Sequence, residues 1–337
     1  MQAYRAPLWL SGQGDWGGNA QTIWPALFSR PHGQSGTAAV PYQRQRWDTP
    51  DGDFIDVDVL SAGETQALPL GARPLLVLFH GLEGSSRSHY ALAFAHWAQA
   101  QGWDYAVPHF RGCSGELNRA PRTYHSGDFA EVDWILRRFA AVHQGPVLVV
   151  GVSLGGNALL RWAQESGSQA QQVVRAVAAI SSPIDLAAAG HVLGRGFNRL
   201  VYTRMFLRSM KPKALAKLRQ YPGLFNEQAL REAKDLYAYD NAFTAPLHGF
   251  VSTEDYWARC SAQPRLQEIT GLPALVVNAL NDPFVPGQRL PGVHDVGPWV
   301  TLWQPTEGGH VGFPSGRMPG HVRTLPEAVG PWLATHL

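Results

Sequence analysis

Cysteine is scarce in this chain of 337 residues, which carries only Cys113 and Cys260. Neither lies among His, Cys or carboxylate residues at the spacing of a zinc site, and two cysteines do not indicate a disulfide framework. The chain also lacks a Gly-rich phosphate loop. We therefore expect no metal and no nucleotide cofactor, and a reducing compartment fits the cysteine usage.

Long apolar runs are absent as well. No window approaches the roughly 20 apolar residues that span a bilayer, and the opening MQAYRAPLWLSGQGDW lacks the sustained apolar region of a signal peptide. The net charge of +2 gives no reason to expect a nucleic-acid partner. We expect a cytoplasmic globular protein, and the sequence leaves its oligomeric state open.

Apolar strand-like runs alternate with helical periodicity over most of the chain. RQRWDT and DFIDVDVL flank Pro50-Asp51-Gly52, a pattern typical of a β-hairpin. Further strands are predicted over 74–81, 104–112, 147–150, 173–183, 272–282 and 299–305, with helices over 88–102, 127–143 and 324–336 between or after them. This alternation predicts an α/β fold with a mostly parallel sheet behind an antiparallel hairpin.

Two segments fall outside the alternation. Residues 1–43, rich in Gly, Pro and Trp, are predicted to form an irregular N-terminal arm. Residues 185–265 have a mainly helical pattern and are too long for a simple connection, so we interpret them as an inserted helical lid. The core would then comprise 44–184 and 266–337.

Gly151-Val152-Ser153-Leu154-Gly155 follows a predicted strand and precedes a predicted helix. This Gly-x-Ser-x-Gly pattern in that context predicts a nucleophile elbow, because a tight turn that lifts the serine leaves no room for Cβ atoms two residues away. Ser153 is therefore the predicted nucleophile.

A serine nucleophile needs a base and a group that orients the base. His310 lies in the glycine-flanked loop EGGHVGF after the last strand. Hydrolases with a nucleophile elbow carry the serine, the acid and the histidine in that order along the chain, which places the histidine there. Asp282 ends the preceding strand and is the predicted acid, with Asp185 as the alternative. Backbone N–H groups of Leu82 and Leu154 are the predicted oxyanion hole, and His80 is interpreted as a structural residue of the Leu82 loop.

Other polar clusters have simpler explanations. Cys113 lies in FRGCSGE, a loop that we interpret as shaping the pocket, with Arg111 tied to a nearby carboxylate. His125, Asp128 and Asp133 surround a helix start, where capping and charge–dipole interactions account for them.

The segment from Arg195 to Arg219 holds eight Lys or Arg residues and no acidic residue. Apolar residues, including Phe197, Met205, Phe206 and Met210, lie between them. One interpretation is a lid helix with a solvated basic face. The alternative is a lid that contacts anionic membranes while its apolar side covers an acyl channel.

Several strings resemble those of the YheT-type α/β-hydrolases, bacterial relatives of embryogenesis-associated plant hydrolases and animal lipid hydrolases. They are HGLEGSSRSHY, FRGCSGELNR, YHSGD, GVSLGGN, NDPF, GGHVGF and the early NAQTIWPAL. The resemblance covers about residues 19 to 315 and implies a carboxylic-ester hydrolase whose triad matches Ser153, Asp282 and His310. Asn19 stands where this family usually has histidine, which weakens the case for a role of the arm.

These observations predict a serine hydrolase that acts on short-chain, medium-chain or lipid-like acyl esters through an acyl-enzyme. Two alternatives stay open. One is an acyltransferase that passes the acyl group to an alcohol, and the other is a hydrolase-like binding protein without activity.

Overall fold

The central strands are short apolar runs without polar alternation, as expected for a sheet that is covered by helices on both faces. The computed structural model describes residues 3–12, 14–29, 40–62 and 73–337. These residues form the strands β1 Gln43–Asp48, β2 Phe54–Leu60, β3 Leu75–Phe79, β4 Asp104–Pro108, β5 Val147–Val152, β6 Ala176–Ile180, β7 Ala274–Val277 and β8 Val300–Trp303.

The strands make a sheet of order β1-β2-β4-β3-β5-β6-β7-β8. β1 pairs antiparallel with β2 across the predicted Pro50-Asp51-Gly52 turn, and β2 pairs antiparallel with β4. The pairs from β4 to β8 are all parallel. The predicted fold class, a mostly parallel α/β sheet with an N-terminal antiparallel hairpin, is confirmed.

Helices cover both faces of the sheet. The helices outside the β6–β7 connection are α1 Gly14–Leu27, α2 His89–Gln101, α3 Phe129–Val142, α4 Leu154–Ser166, α5 Ala170–Val173 and α13 Thr324–Ala334. Phe139 of α3 and Trp162 of α4 are buried in one core layer. Phe94 of α2 and Val329 of α13 are buried in the other. The carboxyl edge of the parallel strands stays available for a site.

The connection between β6 and β7 is helical. It contains α6 Leu186–Leu193, α7 Gly196–Asn198, α8 Arg204–Gln220, α9 Glu227–Glu232, α10 Leu236–Tyr239, α11 Ala245–Leu247 and α12 Thr253–Cys260. Two π-helical turns, Arg199–Thr203 and Asp240–Thr244, join α7 to α8 and α10 to α11. We call this connection the insertion; its bounds of 185 and 265, and its action as a lid, stay predictions.

Three local predictions differ from the structure. The arm is not irregular throughout, because α1 forms despite its glycines, supported by tertiary contacts. β4 ends at Pro108 instead of continuing to Gly112. The Phe110 N–H donates to the His80 ring (3.1 Å) and therefore makes no hydrogen bond to a neighbouring strand. β6 begins at Ala176, because Val173 still belongs to α5.

Within the described residues, no helix is both long and apolar enough to cross a membrane.

Candidate active site

Ser153 lies between the last residue of β5 and the first residue of α4, with φ 53° and ψ −121°. Non-glycine residues rarely adopt this region, which indicates local strain. A Cβ on Gly151 would lie 2.6 Å from the Gly155 carbonyl oxygen, and one on Gly155 would lie 2.5 Å from the carbonyl oxygens of Phe79 and His80. The turn therefore requires glycine at both positions.

The imidazole of His310 lies between the Ser153 hydroxyl and a carboxylate. The Ser153 Oγ is 3.0 Å from His310 Nε2. On the other side of the ring, His310 Nδ1 is 2.9 Å from Asp282 Oδ2 and 3.2 Å from Oδ1. A ring N–H that donates to Asp282 leaves Nε2 as the acceptor for the serine proton, which is the arrangement of a general base.

Asp282 and His310 are only 5% and 9% exposed. The Phe284 and Val285 N–H groups donate to Asp282 Oδ1 at 2.8 and 3.3 Å, which fixes the carboxylate. The Phe284 ring stacks on the His310 ring with centroids 4.0 Å apart. This shielding from water strengthens the hydrogen bonds between the three side chains.

Asp185, the alternative acid, lies elsewhere. It caps α6 by accepting from the Ala188 N–H at 3.0 Å and pairs with Arg289 at 2.9 Å. The structure thus brings Asp282, and not Asp185, to His310.

The predicted oxyanion donors are Leu154, which follows Ser153 in the chain, and Leu82, which lies in the loop after β3. Leu154 begins α4, so its N–H has no acceptor within the helix. Leu82 follows Gly81, whose added Cβ would lie 3.1 Å from the Ser153 Cβ. In the described part of the chain, neither amide donates to an acceptor. Both residues line the cavity at Ser153, and two such amides beside the serine are what an oxyanion hole requires.

His80 is fully buried and directly precedes Gly81 and Leu82 in the loop after β3. Its Nδ1–H donates to the Gly81 carbonyl (2.8 Å), while Nε2 accepts from the Phe110 N–H (3.1 Å). Burial lowers its pKa to about 3, so the ring is neutral. This fits the structural interpretation of His80.

Arg111 is tied to carboxylates, as predicted. Its guanidinium contacts Asp51 and Asp53 of the hairpin turn and Glu131 of α3. Burial raises the pKa of Cys113 to about 12, so the neighbouring thiol is a poor nucleophile. The loop therefore supports the site without competing with Ser153.

Side-chain capping, one part of the explanation for His125 and Asp128, is wrong, although Asp128 does lie at the N-terminus of α3, where a negative charge is favourable. The Asp128 side chain makes no cap hydrogen bond and instead pairs with Arg122. His125 lines the cavity, and burial lowers its pKa to about 3. Asp133 accepts from the Trp162 ring N–H (2.9 Å) and pairs with Arg137.

A mainly apolar cavity of about 140 Å³ adjoins Ser153, between the sheet edge and the insertion. Its apolar lining includes Leu82, Leu186, Leu193, Phe206, Met210 and Phe243. One wall carries an ion pair between Glu83 and Lys213 (2.9 Å). Another carries Asp240, which accepts from Thr244 and the Trp257 ring N–H; burial raises its pKa to about 6.

The basic segment does not form one uniform solvated face. Lys217 is fully buried and donates to the carbonyls of Asn118 (2.6 Å) and Ala120 (2.8 Å), and burial lowers its pKa to about 8. Lys213 faces the cavity wall through its pair with Glu83. Of the predicted apolar residues, Phe206 and Met210 line the cavity, whereas Phe197 and Met205 are exposed.

Sequence reasoning missed the contribution of α1. The Thr22 hydroxyl accepts from the His310 N–H (2.8 Å), and Gln21 Oε1 accepts from the Gly308 N–H (2.8 Å). The only signal in the sequence was the string NAQTIWPAL, in which Gln21 and Thr22 are polar residues before an apolar run.

Comparison with known proteins shows the family of the chain. A family model described as the alpha/beta hydrolase fold matches residues 74–316. The putative esterase YheT of Escherichia coli K12 is 38% identical over 94% of this chain and 90% of its own. Phospholipase ABHD3 of Homo sapiens is 27% identical over 90% of this chain and 73% of its own.

A solved structure supports the fold alone. The crystal structure of the α/β-hydrolase GrgF from Penicillium sp. sh18 has a TM-score of 0.57 at 16% identity, and the match covers 88% of this chain and 99% of that one. On the family match and the similarity to YheT, the chain belongs to the α/β-hydrolase fold family and, within it, to the YheT-type hydrolases.

Proposed function

We propose that this protein is a serine carboxylic-ester hydrolase with Ser153, His310 and Asp282 as its triad. The observation that carries the proposal is the continuous hydrogen-bonded series from Ser153 Oγ through His310 to Asp282, at the base of an apolar cavity. The names of two relatives, a putative esterase and a phospholipase, support ester substrates.

The reaction follows from the positions of these groups. Ser153 Oγ attacks the ester carbonyl carbon as His310 Nε2 takes its proton, and Asp282 stabilises the imidazolium. The N–H groups of Leu82 and Leu154 stabilise the oxyanion. His310 then protonates the leaving alcohol, and water, activated by the same ring, releases the carboxylic acid from Ser153.

The size of the cavity favours a short acyl group. An apolar cavity of about 150 Å³ binds benzene, and the cavity here is about 140 Å³. The cavity is partly open to solvent, so it holds an acyl group of roughly six carbon atoms and a longer chain would extend toward the opening. A lipid-like ester with a short or medium acyl chain is therefore the substrate class that fits best.

The direct test compares the wild-type enzyme with Ser153→Ala on p-nitrophenyl butyrate. We expect a loss on the order of 10⁴ in kcat/KM with an unchanged circular dichroism spectrum. A fluorophosphonate probe should label the wild type and not the variant. Activity that survives in Ser153→Ala would contradict the assignment, and a folded wild type that neither turns over ester nor takes the probe would favour the binding protein.

Acyl transfer is distinguished from hydrolysis by adding ethanol or glycerol to the same assay. Hydrolysis predicts that free acid remains the main product, because water reaches the acyl-enzyme. Ester formed in excess of acid would instead assign an acyltransferase.

We also propose that the exposed face formed by the Arg199–Thr203 turn and the start of α8 docks on an anionic lipid surface. Leu200 and Met205 are 71% and 56% exposed, and Phe197 is also exposed. Phe197 and Leu200 are three residues apart and lie on one side of the helix, and Met205 adds exposed apolar surface at the start of α8. Exposed arginines flank them at 195, 199, 204 and 208, with no acidic residue from 195 to 219, so the face complements negative headgroups.

A further inference from the structure

We propose that Gln21 and Thr22 of α1 are positioning residues that hold the His310 loop in its reactive place. This inference rests on the proposed function, because it assigns a role to residues that hold the loops of His310 and Asp282 and do not contact the substrate. It concerns a helix far from the triad in sequence, since 288 positions separate Thr22 from His310.

Three consecutive amides of the histidine loop are held by side chains. The Gly308 N–H donates to Gln21 Oε1 (2.8 Å), and the Gly309 N–H donates to Asn281 Oδ1 (3.0 Å). The His310 N–H donates to Thr22 Oγ1 (2.8 Å). The backbone that carries the imidazole is thereby fixed at each residue leading to it.

The same helix also holds the loop that carries the acid. Asn281, the neighbour of Asp282, donates from Nδ2 to Gln21 Oε1 (2.9 Å). Gln21 is fully buried, and its Nε2 donates to the Leu10 carbonyl (2.9 Å). One buried side-chain amide therefore connects the Asp282 loop with the His310 loop and fixes their relative positions.

Close packing adds to these hydrogen bonds. A Cβ on Gly18 would lie 1.9 Å from the Asn281 carbonyl oxygen, and one on Gly312 would lie 1.8 Å from the Gln21 carbonyl oxygen. Gly309 has φ 60° and would place a Cβ 2.8 Å from Thr22 Oγ1. Helix and loops thus approach to backbone contact, which leaves little freedom for displacement of His310.

A second series of contacts connects α1 with the face of the His310 ring. The Tyr202 hydroxyl donates to Asn19 Oδ1 (2.7 Å). The Tyr202 ring packs edge-on against Phe284 with centroids 4.6 Å apart, and Phe284 stacks on His310. The imidazole is therefore held through its backbone by Thr22 and through its ring face by a chain that ends at Asn19.

The test is Thr22→Val, which keeps the side-chain volume and removes the acceptor of the His310 N–H. Displacement of a catalytic group by about 1 Å costs about 10²-fold in rate. We expect kcat on p-nitrophenyl butyrate and the rate of fluorophosphonate labelling to fall about 10- to 100-fold, with KM changed less than twofold. Thr22→Ser, which restores the acceptor, should recover most of the rate.

Thr253→Val is the matched control. Thr253 is 0% exposed and Thr22 is 8% exposed, and Thr253 donates to the Tyr237 carbonyl (2.9 Å) in the insertion, so the variant loses a buried hydroxyl away from His310. It should lower the melting temperature and leave kcat unchanged. If Thr22→Val does not fold, Gln21→Met removes the acceptor of the Gly308 N–H and is measured in the same way.

Wild-type kcat in Thr22→Val, or equal impairment of Thr22→Val and Thr22→Ser, would overturn the positioning role. The proposed function fails by a different result, namely ester hydrolysis that survives Ser153→Ala. An activity that depends on Ser153 and does not respond to Thr22→Val contradicts the positioning role alone.

Discussion

Gly155 lies at a crowded position of the turn that carries Ser153. The carbonyl oxygens of Phe79 and His80 approach it so closely that an added Cβ would lie 2.5 Å from each. The contact joins the end of β3 to the start of α4, and Ser153 lies two residues away. Crowding at this glycine therefore acts through the backbone on Ser153, the proposed nucleophile.

We expect Gly155→Ala to lower the free energy of unfolding by about 1–3 kcal/mol, the usual cost of overpacking. Because the turn must widen, kcat should fall more than KM changes. Urea unfolding and steady-state kinetics measure the two effects.

The control is Gly292→Ala. Gly292 has φ −89°, and its nearest neighbour to an added Cβ is 3.7 Å away. This variant should match the wild type in both assays. If the two alanine variants have the same stability and the same kcat, the close contact at Gly155 does not limit the conformation of the turn.

At the scale of elements, α8 and the π-helical turn before it carry two kinds of contact. Phe206 and Met210 face the cavity, while Leu200 and Met205 face solvent. Lys213 and Lys217 are directed inward by Glu83 and by two carbonyls, so only part of the basic charge remains for a partner. The proposed docking face is therefore smaller than the sequence pattern indicates.

Arg204→Glu with Arg208→Glu should weaken binding to vesicles with anionic headgroups at least tenfold, since each arginine near such a surface contributes about 1 kcal/mol. Co-sedimentation at low and high salt is the measurement, because salt screens this attraction. Activity on p-nitrophenyl butyrate should not change.

Arg175→Glu with Arg317→Glu makes the same change in net charge at exposed positions outside this face. It should keep most of the vesicle binding. If both double variants bind anionic vesicles equally, or if the wild type does not bind them, the proposed docking face is contradicted. The arginines would then be solvated side chains without a partner surface.

At the scale of the whole molecule, the site is assembled from segments that are distant in the chain. Ser153, Asp282 and His310 come from connections at the carboxyl ends of β5, β7 and β8. The insertion supplies much of the cavity wall, and the hairpin supports the neighbouring loop through Arg111. If the cavity binds the acyl group as proposed, acyl-chain selectivity is a property of the core and the insertion together.

Met210→Ala should lengthen the accepted acyl chain. Met210 lines the cavity and is 8% exposed, so its truncation enlarges the space beside Ser153. We expect kcat/KM for p-nitrophenyl octanoate relative to butyrate to rise about tenfold, within the range for one or two methylene groups in an apolar pocket.

Met205→Ala changes the same residue type five positions earlier, where the side chain is exposed and does not line the cavity. Its chain-length preference should equal that of the wild type. A Met210→Ala enzyme with unchanged preference would place the acyl chain elsewhere.

The sequence by itself determined the elbow, the hairpin and the alternation of strands and helices. These features depend on neighbours in the chain: glycines that relieve a tight turn, a Pro-Asp-Gly turn and hydrophobic periodicity. It also predicted Asp282 and His310 as candidates, because both follow late strands whose carboxyl ends share one edge of the sheet. The helical character of the insertion followed from its pattern in the same way.

Only the tertiary structure decided which side chains meet across the chain. Glycine-rich α1 has weak helical propensity, so its fold and its contacts with the His310 loop depend on packing that no local pattern encodes. Lys217 occurs among exposed arginines in sequence yet is buried against two carbonyls, and Asp128 pairs with Arg122 instead of capping its helix. The physical reason is the same in each case: burial and long-range partners outweigh local preference, and they exist only once the chain has folded.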